Sequence, residues 1–151
     1  MSIAPLKDRI TEDMKTAMRA KDSARLGVIR FLQAAIKQRE IDERITLDDA
    51  AIIGVIEKLA KQRRDSISQF EQAGRMDLAD KEKAELALLQ AYLPQQMTDD
   101  ELVAQIKAVI AAQAAAGPQA MGKVMGALKP LIAGRADPAR ASALVKQLLA
   151  G

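Results

Sequence analysis

Residues 92–110 read YLPQQMTDDELVAQIKAVI. Pro94 stops the helix before it, because a residue preceding proline, here Leu93, is pushed out of the helical region. Thr98 and Glu101 then have the spacing of a capping box, in which a hydroxyl and a carboxylate satisfy orphan amides at a helix start. Leu102, Ile106, Val109 and Ile110 follow at helical spacing. One stretch thus ends a helix, supplies a link (PQQMT, 94–98) and begins another helix. It predicts two helical parts, residues 1–93 and 98–151.

Upstream, Leu6, Ile10, Met14, Ala17 and Met18 mark a first helix. Asp22 or Ser23 offers an N-cap to a second, which carries Leu26, Ile29, Leu32 and Ile36 and frays near Glu43. Thr46 is the expected cap of a third, with Asp49 completing a near capping box and Ile53, Ile56, Ala60, Ile67 and Phe70 on one face. Gly74 ends it as a left-handed cap. Asp77 starts a fourth, bearing Leu78, Leu86, Leu89 and Tyr92. Downstream, Gly117–Pro118 breaks the fifth helix. Met121, Val124, Met125 and Leu128 face one way in the sixth, which Gly134 closes. Asp137–Pro138 restarts the chain with an N-cap carboxylate and a proline at the first helical position, and Leu144, Val145 and Leu148 follow. Strand-type alternation is missing throughout. The expected fold is all-α: an N-terminal domain of about four helices and a small C-terminal three-helix bundle.

Hydrophobic residues make up 49% of the chain and aromatic ones 2%. Phe31, Phe70 and Tyr92 each fall on an apolar face by spacing, so the core is Leu, Ile, Val, Met and Ala. There is no Cys and no His. That excludes disulfides, Ser-His-Asp and Cys-His nucleophiles, imidazole acid/base chemistry and the favoured zinc ligands. No catalytic residue, metal or cofactor is expected. The N-terminus, MSIAPLKDRI, meets charge at once and lacks the apolar stretch of a signal peptide. No apolar run approaches the roughly 20 residues that span a bilayer. These features predict a cytoplasmic protein without a membrane partner.

The formal net charge is +3. Residues 1–40 hold nine Lys/Arg against five Asp/Glu, residues 41–97 eight against eleven, and residues 118–151 five against one. A basic surface suits an anionic partner. The carboxylates Asp48/Asp49 and Asp99/Asp100/Glu101 fall in first helical turns, where the macrodipole favours negative charge, so capping is preferred to metal binding. Lys58, Lys61, Arg63 and Arg64 read as a solvated face, since Glu57 and Asp65 stand at ion-pair spacing from Lys61. Gly122 and Gly126 have a spacing that permits close helix packing, the favoured reading there. Lys129, Arg135 and Arg140 should gather at one end of the C-terminal module, and amides near Gly134 and Pro138 could add phosphate donors. Asp137 and the dipole preference of Lys129 account for the same pattern structurally, and both readings stay open. With so few aromatics, any nucleic acid would be read by backbone and shape rather than by base stacking.

The run Met121-Gly-Lys-Val-Met-Gly-Ala-Leu-Lys129, then Gly134-Arg-Ala-Asp-Pro138, then Leu144-Val-x-x-Leu148, resembles the GatB/YqeY family. Leu26-Gly-Val-Ile-Arg30, Ala34-Ala-Ile-Lys37, Lys61-Gln-Arg-Arg-Asp-Ser66, Glu85 and Tyr92-Leu-Pro-Gln-Gln96 resemble its free-standing members. The resemblance implies a helical domain plus a small helical bundle. It also implies kinship with the tail of the B subunit of the tRNA-dependent amidotransferase, a carbon–nitrogen ligase that takes its amide nitrogen from glutamine. The cradle where that chemistry occurs is absent, as are a thiol glutaminase and an ATP motif. Three readings follow. The first is a non-catalytic module binding tRNA or other structured RNA through Lys123, Lys129, Arg135, Arg140 and Lys146, with Gly122 and Gly134 shaping the backbone. Lys123 and Lys129 stand about 240° apart on an ideal helix, so a patch holding both must be curved. The second is a protein-interaction adaptor with a protein partner. The third is an accessory to amidotransferase activity.

Overall fold

The computed structural model describes residues 5–150. Residues 1–4 and 151 lie outside the described residues, and with them the first four residues of the N-terminus read above. Seven α-helices are described: α1 (Pro5–Arg19), α2 (Ser23–Glu43), α3 (Asp49–Gln72), α4 (Met76–Gln90), α5 (Asp99–Ala112), α6 (Met121–Ile132) and α7 (Pro138–Ala150). A short 3-10 turn, Pro118–Ala120, precedes α6. No strand occurs among the described residues, and the fold is all-α. No described helix is long and apolar enough to cross a membrane.

The chain divides into two compact units, Met1–Leu93 and Pro94–Gly151. In the first, α3 and α4 form the tightest pair, and α1 and α2 pack beside them. Its core joins Ile10 and Ala17 of α1, Ile29, Leu32 and Ile36 of α2, Ile52, Ile56 and Leu59 of α3, and Leu89 of α4, with Leu47 fully buried in the α2–α3 turn. In the second, Leu102, Ile106 and Val109 of α5 meet Val124, Leu128 and Ile132 of α6 and Ala141, Leu144 and Val145 of α7. Such aliphatic packing supplies most helical stability, and isolated helices as short as α5, α6 and α7 would be marginal in water.

Several local expectations are corrected. The cap of α3 is Asp48, not Thr46: its side chain accepts from the Ala51 amide at 2.9 Å. The helix thus starts two residues further on, from an extended Asp48, and the Leu47 amide before it donates to Glu40 Oε2 at 2.9 Å. Helix α5 stops at Ala112 rather than at Gly117–Pro118. Ala114 adopts φ +48°, and the Ala115 amide donates to Ile110 O at 3.0 Å, closing a Schellman turn on an alanine. Gly74, at φ +71°, makes the same turn after α3, with the Arg75 amide donating to Phe70 O at 2.8 Å. Phe31 is 51% exposed instead of buried, and Met18 is exposed too. The close-packing reading of Gly122 and Gly126 also fails: both are exposed, and a Cβ placed on either would meet no atom within 4 Å. They lie roughly 160° around α6 from Val124, away from the core.

Candidate nucleic-acid interface

Helix α6 buries Val124, Leu128 and Ile132. With about 100° per residue, Gly122, Gly126 and Lys129 then share the outward face within about 60° of one another, and Lys123 stands on the far side of the glycines. Lys123 and Lys129 are therefore separated by a solvent-facing arc that holds the two glycines and, one turn on, the exposed Pro130. Lys123 Nζ donates to Gln113 O at 3.4 Å, which tilts it toward the end of α5. Among the described residues, Lys129 and Lys146 have no acidic group within 4.0 Å, and both are exposed.

Arg135 is half-buried and holds the unit together. Its Nε donates to Gln95 O at 3.0 Å, its carbonyl accepts from the Met97 amide at 2.8 Å, and Gln96 Nε2 donates to Gly134 O at 2.6 Å. Residues 95–97 are thereby clipped onto the α6–α7 turn, which explains why the link belongs to the second unit. Gly134 sits at φ +73°, a conformation that disfavours a side chain. The amides read as phosphate donors are already engaged. Those of Arg135 and Ala136 both go to Ile132 O, at 2.8 and 3.1 Å, and that of Ala139 goes to Asp137 Oδ1 at 3.1 Å. Arg140 Nη2 is 3.1 Å from Asp99 Oδ2, so its charge is met within the unit. Of the seven residues singled out in the sequence, Gly122, Lys123 and Lys129 share the outward side of α6. Lys146 stands exposed on α7, and Gly134, Arg135 and Arg140 belong to the clip and an ion pair.

Sequence reasoning missed the polar clamps of the first unit. Arg63 is not on a solvated face: its guanidinium contacts Glu82 Oε2 at 2.9 Å and Glu85 Oε2, and lies 5.3 Å from the centre of the Phe31 ring. Lys61, by contrast, does pair with Asp65, at 3.8 Å. Lys7 Nζ and the Leu47 amide converge on Glu40, whose carboxyl is held below the usual range chiefly by the Lys7 hydrogen bond. Tyr92 Oη donates to Asp13 Oδ2 at 2.6 Å beneath the Arg9 guanidinium. Burial, then that bond, pushes the phenol well above the ordinary tyrosine range. A hydroxyl beside a carboxylate is acid/base equipment, yet the adjoining cavity is about 70 Å³, room for water and not for a substrate. Asp49, read as a cap, instead accepts from the Leu6 amide at 3.1 Å and ties α1 to α3. Among the described residues no group of three or more acidic side chains is placed to hold a metal ion.

Fold and surface together define an all-helical, two-unit protein with a lysine-flanked, glycine-bearing helix face in its second unit. A family model described as Yqey-like protein matches residues 7–149, and the chain belongs to that family. It is similar to proteins named Altered inheritance of mitochondria protein 41, mitochondrial. That of Vanderwaltozyma polyspora is 44% identical over 85 residues, covering 56% of this chain and 46% of the relative. That of Eremothecium gossypii is 46% identical over 85 residues, with the same coverage. That of Pyrenophora tritici-repentis is 34% identical over 130 residues, covering 85% of this chain and 71% of the relative. The chain spans about half the length of the first two relatives. The cytoplasmic expectation is corrected by these names, which place the relatives in mitochondria.

Proposed function

We propose that the second unit is a non-catalytic module that lies against the phosphate backbone of structured RNA, with tRNA as the leading substrate class. The carrying observation is the outward arc of α6, where Gly122 and Gly126 stand exposed between Lys123 and Lys129 with only the compact ring of Pro130 beside them. A mid-helix glycine costs about 1 kcal/mol relative to alanine. Gly126 is such a glycine, Gly122 lies in the first turn, and an added Cβ at either would meet no neighbour among the described residues, which supports a surface kept low for something outside the chain. Lysines on either side supply the charge that a phosphate backbone requires, and Lys146 on α7 adds to it. The resemblance of residues 121–148 to the amidotransferase tail supports the same class of partner. Neither the geometry nor the relatives' names add support for an amidotransferase role.

The test is binding of bulk tRNA to the full chain at 50 and 200 mM salt. Affinity should fall steeply between the two. Lys123→Ala and Lys129→Ala should each flatten the salt slope by about 0.9. Gly126→Leu should fold at least as well as the parent and lose about tenfold in binding. No binding at 50 mM salt would overturn the reading.

An adaptor role has one observation of its own. Ile41 and Ile45, at the end of α2 in the first unit, are 60% and 50% exposed. A protein partner seated there should survive high salt, since apolar contacts are not screened, and should be lost on Ile41→Glu.

A further inference from the structure

The first turn of α5 carries Asp99, Asp100 and Glu101 directly after the Thr98 cap. Glu101 completes the capping box with Thr98 and is committed to it. Asp99 instead reaches α7, where Arg140 Nη2 donates to its Oδ2 at 3.1 Å. Both side chains are more than half exposed, at 69% and 53%. An exposed pair of this kind is weak and exchanges freely with solvent and with other anions. To Arg140, a carboxylate oxygen at that distance offers what a phosphate oxygen would offer.

We propose that Asp99 is a built-in competitor for Arg140, occupying the guanidinium until an RNA phosphate displaces it; this inference rests on the RNA reading above. Arg140 then contributes to binding only after its ion pair opens. A closely spaced phosphate array, which offers the guanidinium several oxygens at once, displaces Asp99 more readily than isolated phosphate does.

The experiment compares the full chain with Asp99→Asn, Asp100→Asn, Arg140→Ala and the double variant Asp99→Asn/Arg140→Ala, each titrated with bulk tRNA at 50 and 200 mM salt. Asp99→Asn should bind about three- to fivefold tighter at 50 mM, with a salt slope steeper by about one. Asp100→Asn makes the same change of net charge without touching Arg140, and should change affinity less than twofold. The gain should vanish in the double variant. Melting followed by circular dichroism checks each fold, and Asp99→Ser serves as the second variant should Asn disturb the turn. If the parent binds and Asp99→Asn binds no tighter, or Asp100→Asn gains equally, this inference is overturned and the RNA reading stands. If none of the chains binds tRNA at 50 mM, the RNA reading falls and takes this inference with it.

Discussion

Arg63 and Lys129 are both cations on helices, and they do opposite work. Arg63, 18% exposed, is drawn between α3 and α4 by two glutamates and an aromatic ring. Lys129 stands on the outward face of α6 with no acidic partner among the described residues. The contrast extends to the two units. The first joins elements distant in sequence through polar clamps: Lys7 to Glu40, Tyr92 to Asp13, Arg63 to Glu82 and Glu85. The second relies on an aliphatic core, helix caps and one backbone clip at residues 95–97. Charge in the first unit is mostly structural. In the second, Lys107, Lys123, Lys129 and Lys146 are exposed and have no acidic group within 4.0 Å among the described residues.

The sharpest way to break that comparison is Arg63→Ala. It strands two partly buried glutamates and should cost about 3 kcal/mol, read as a lower urea midpoint of the full chain. A loss under about 0.5 kcal/mol would return Arg63 to the class of surface charges. Lys129→Ala is the counterpart and should leave the midpoint in place.

Glu40→Gln probes a second clamp and should cost about 1.5 kcal/mol at neutral pH, the worth of hydrogen bonds to a charged group. Its pH dependence has a definite sign. The folded value lies below the ordinary 4.5, so the stabilisation is complete above that value and disappears as pH falls through the folded one. Urea midpoints between pH 7 and pH 3 should fall less steeply in the variant than in the parent. Parallel curves would show that Glu40 contributes nothing to acid sensitivity.

In the second unit Gly126→Ala tests the outward face directly. It should raise stability by about 0.8 kcal/mol, because an exposed helical glycine gains from a methyl group that meets no neighbour, and it should weaken tRNA binding. A loss of stability would mean that something in the chain does pack there.

Helix number and the Thr98–Glu101 capping box were legible in the sequence because each rests on local chemistry, an apolar period and a hydroxyl three residues before a carboxylate, whereas α4 ends at Gln90, before the Leu93–Pro94 stop expected from proline sterics. The outward aim of Gly122 and Gly126 was legible too. Val124 as a core residue places both glycines on the opposite side of the helix, and small-residue spacing drew attention from that. Arg63 could not be read. Its partners lie 19 and 22 positions away on another helix, and only the α3–α4 pairing brings them together. Asp99 and Arg140 are separated by 41 positions, and their pairing depends in the same way on packing within the second unit.

The smallest expected effect concerns how α5 ends. Among the described residues, three Schellman turns place a side chain in the left-handed region, at Lys21, Arg44 and Ala114, and the turn at Gly74 does not. A left-handed residue with a Cβ costs about 1–2 kcal/mol, and the greater freedom of glycine in the unfolded chain returns roughly 0.5–1 of that. Ala114→Gly should therefore stabilise the full chain by about 0.5 kcal/mol, seen as a small rise in urea midpoint with unchanged slope. Ala114 is exposed and makes no contact in the aliphatic core of the second unit, so the methyl group contributes no burial to set against the strain. If the variant is instead less stable, the turn is held by its neighbours firmly enough that unfolded-state entropy outweighs the relief. The second unit would then share with the first the property of fixing its backbone through tertiary contacts rather than local preference.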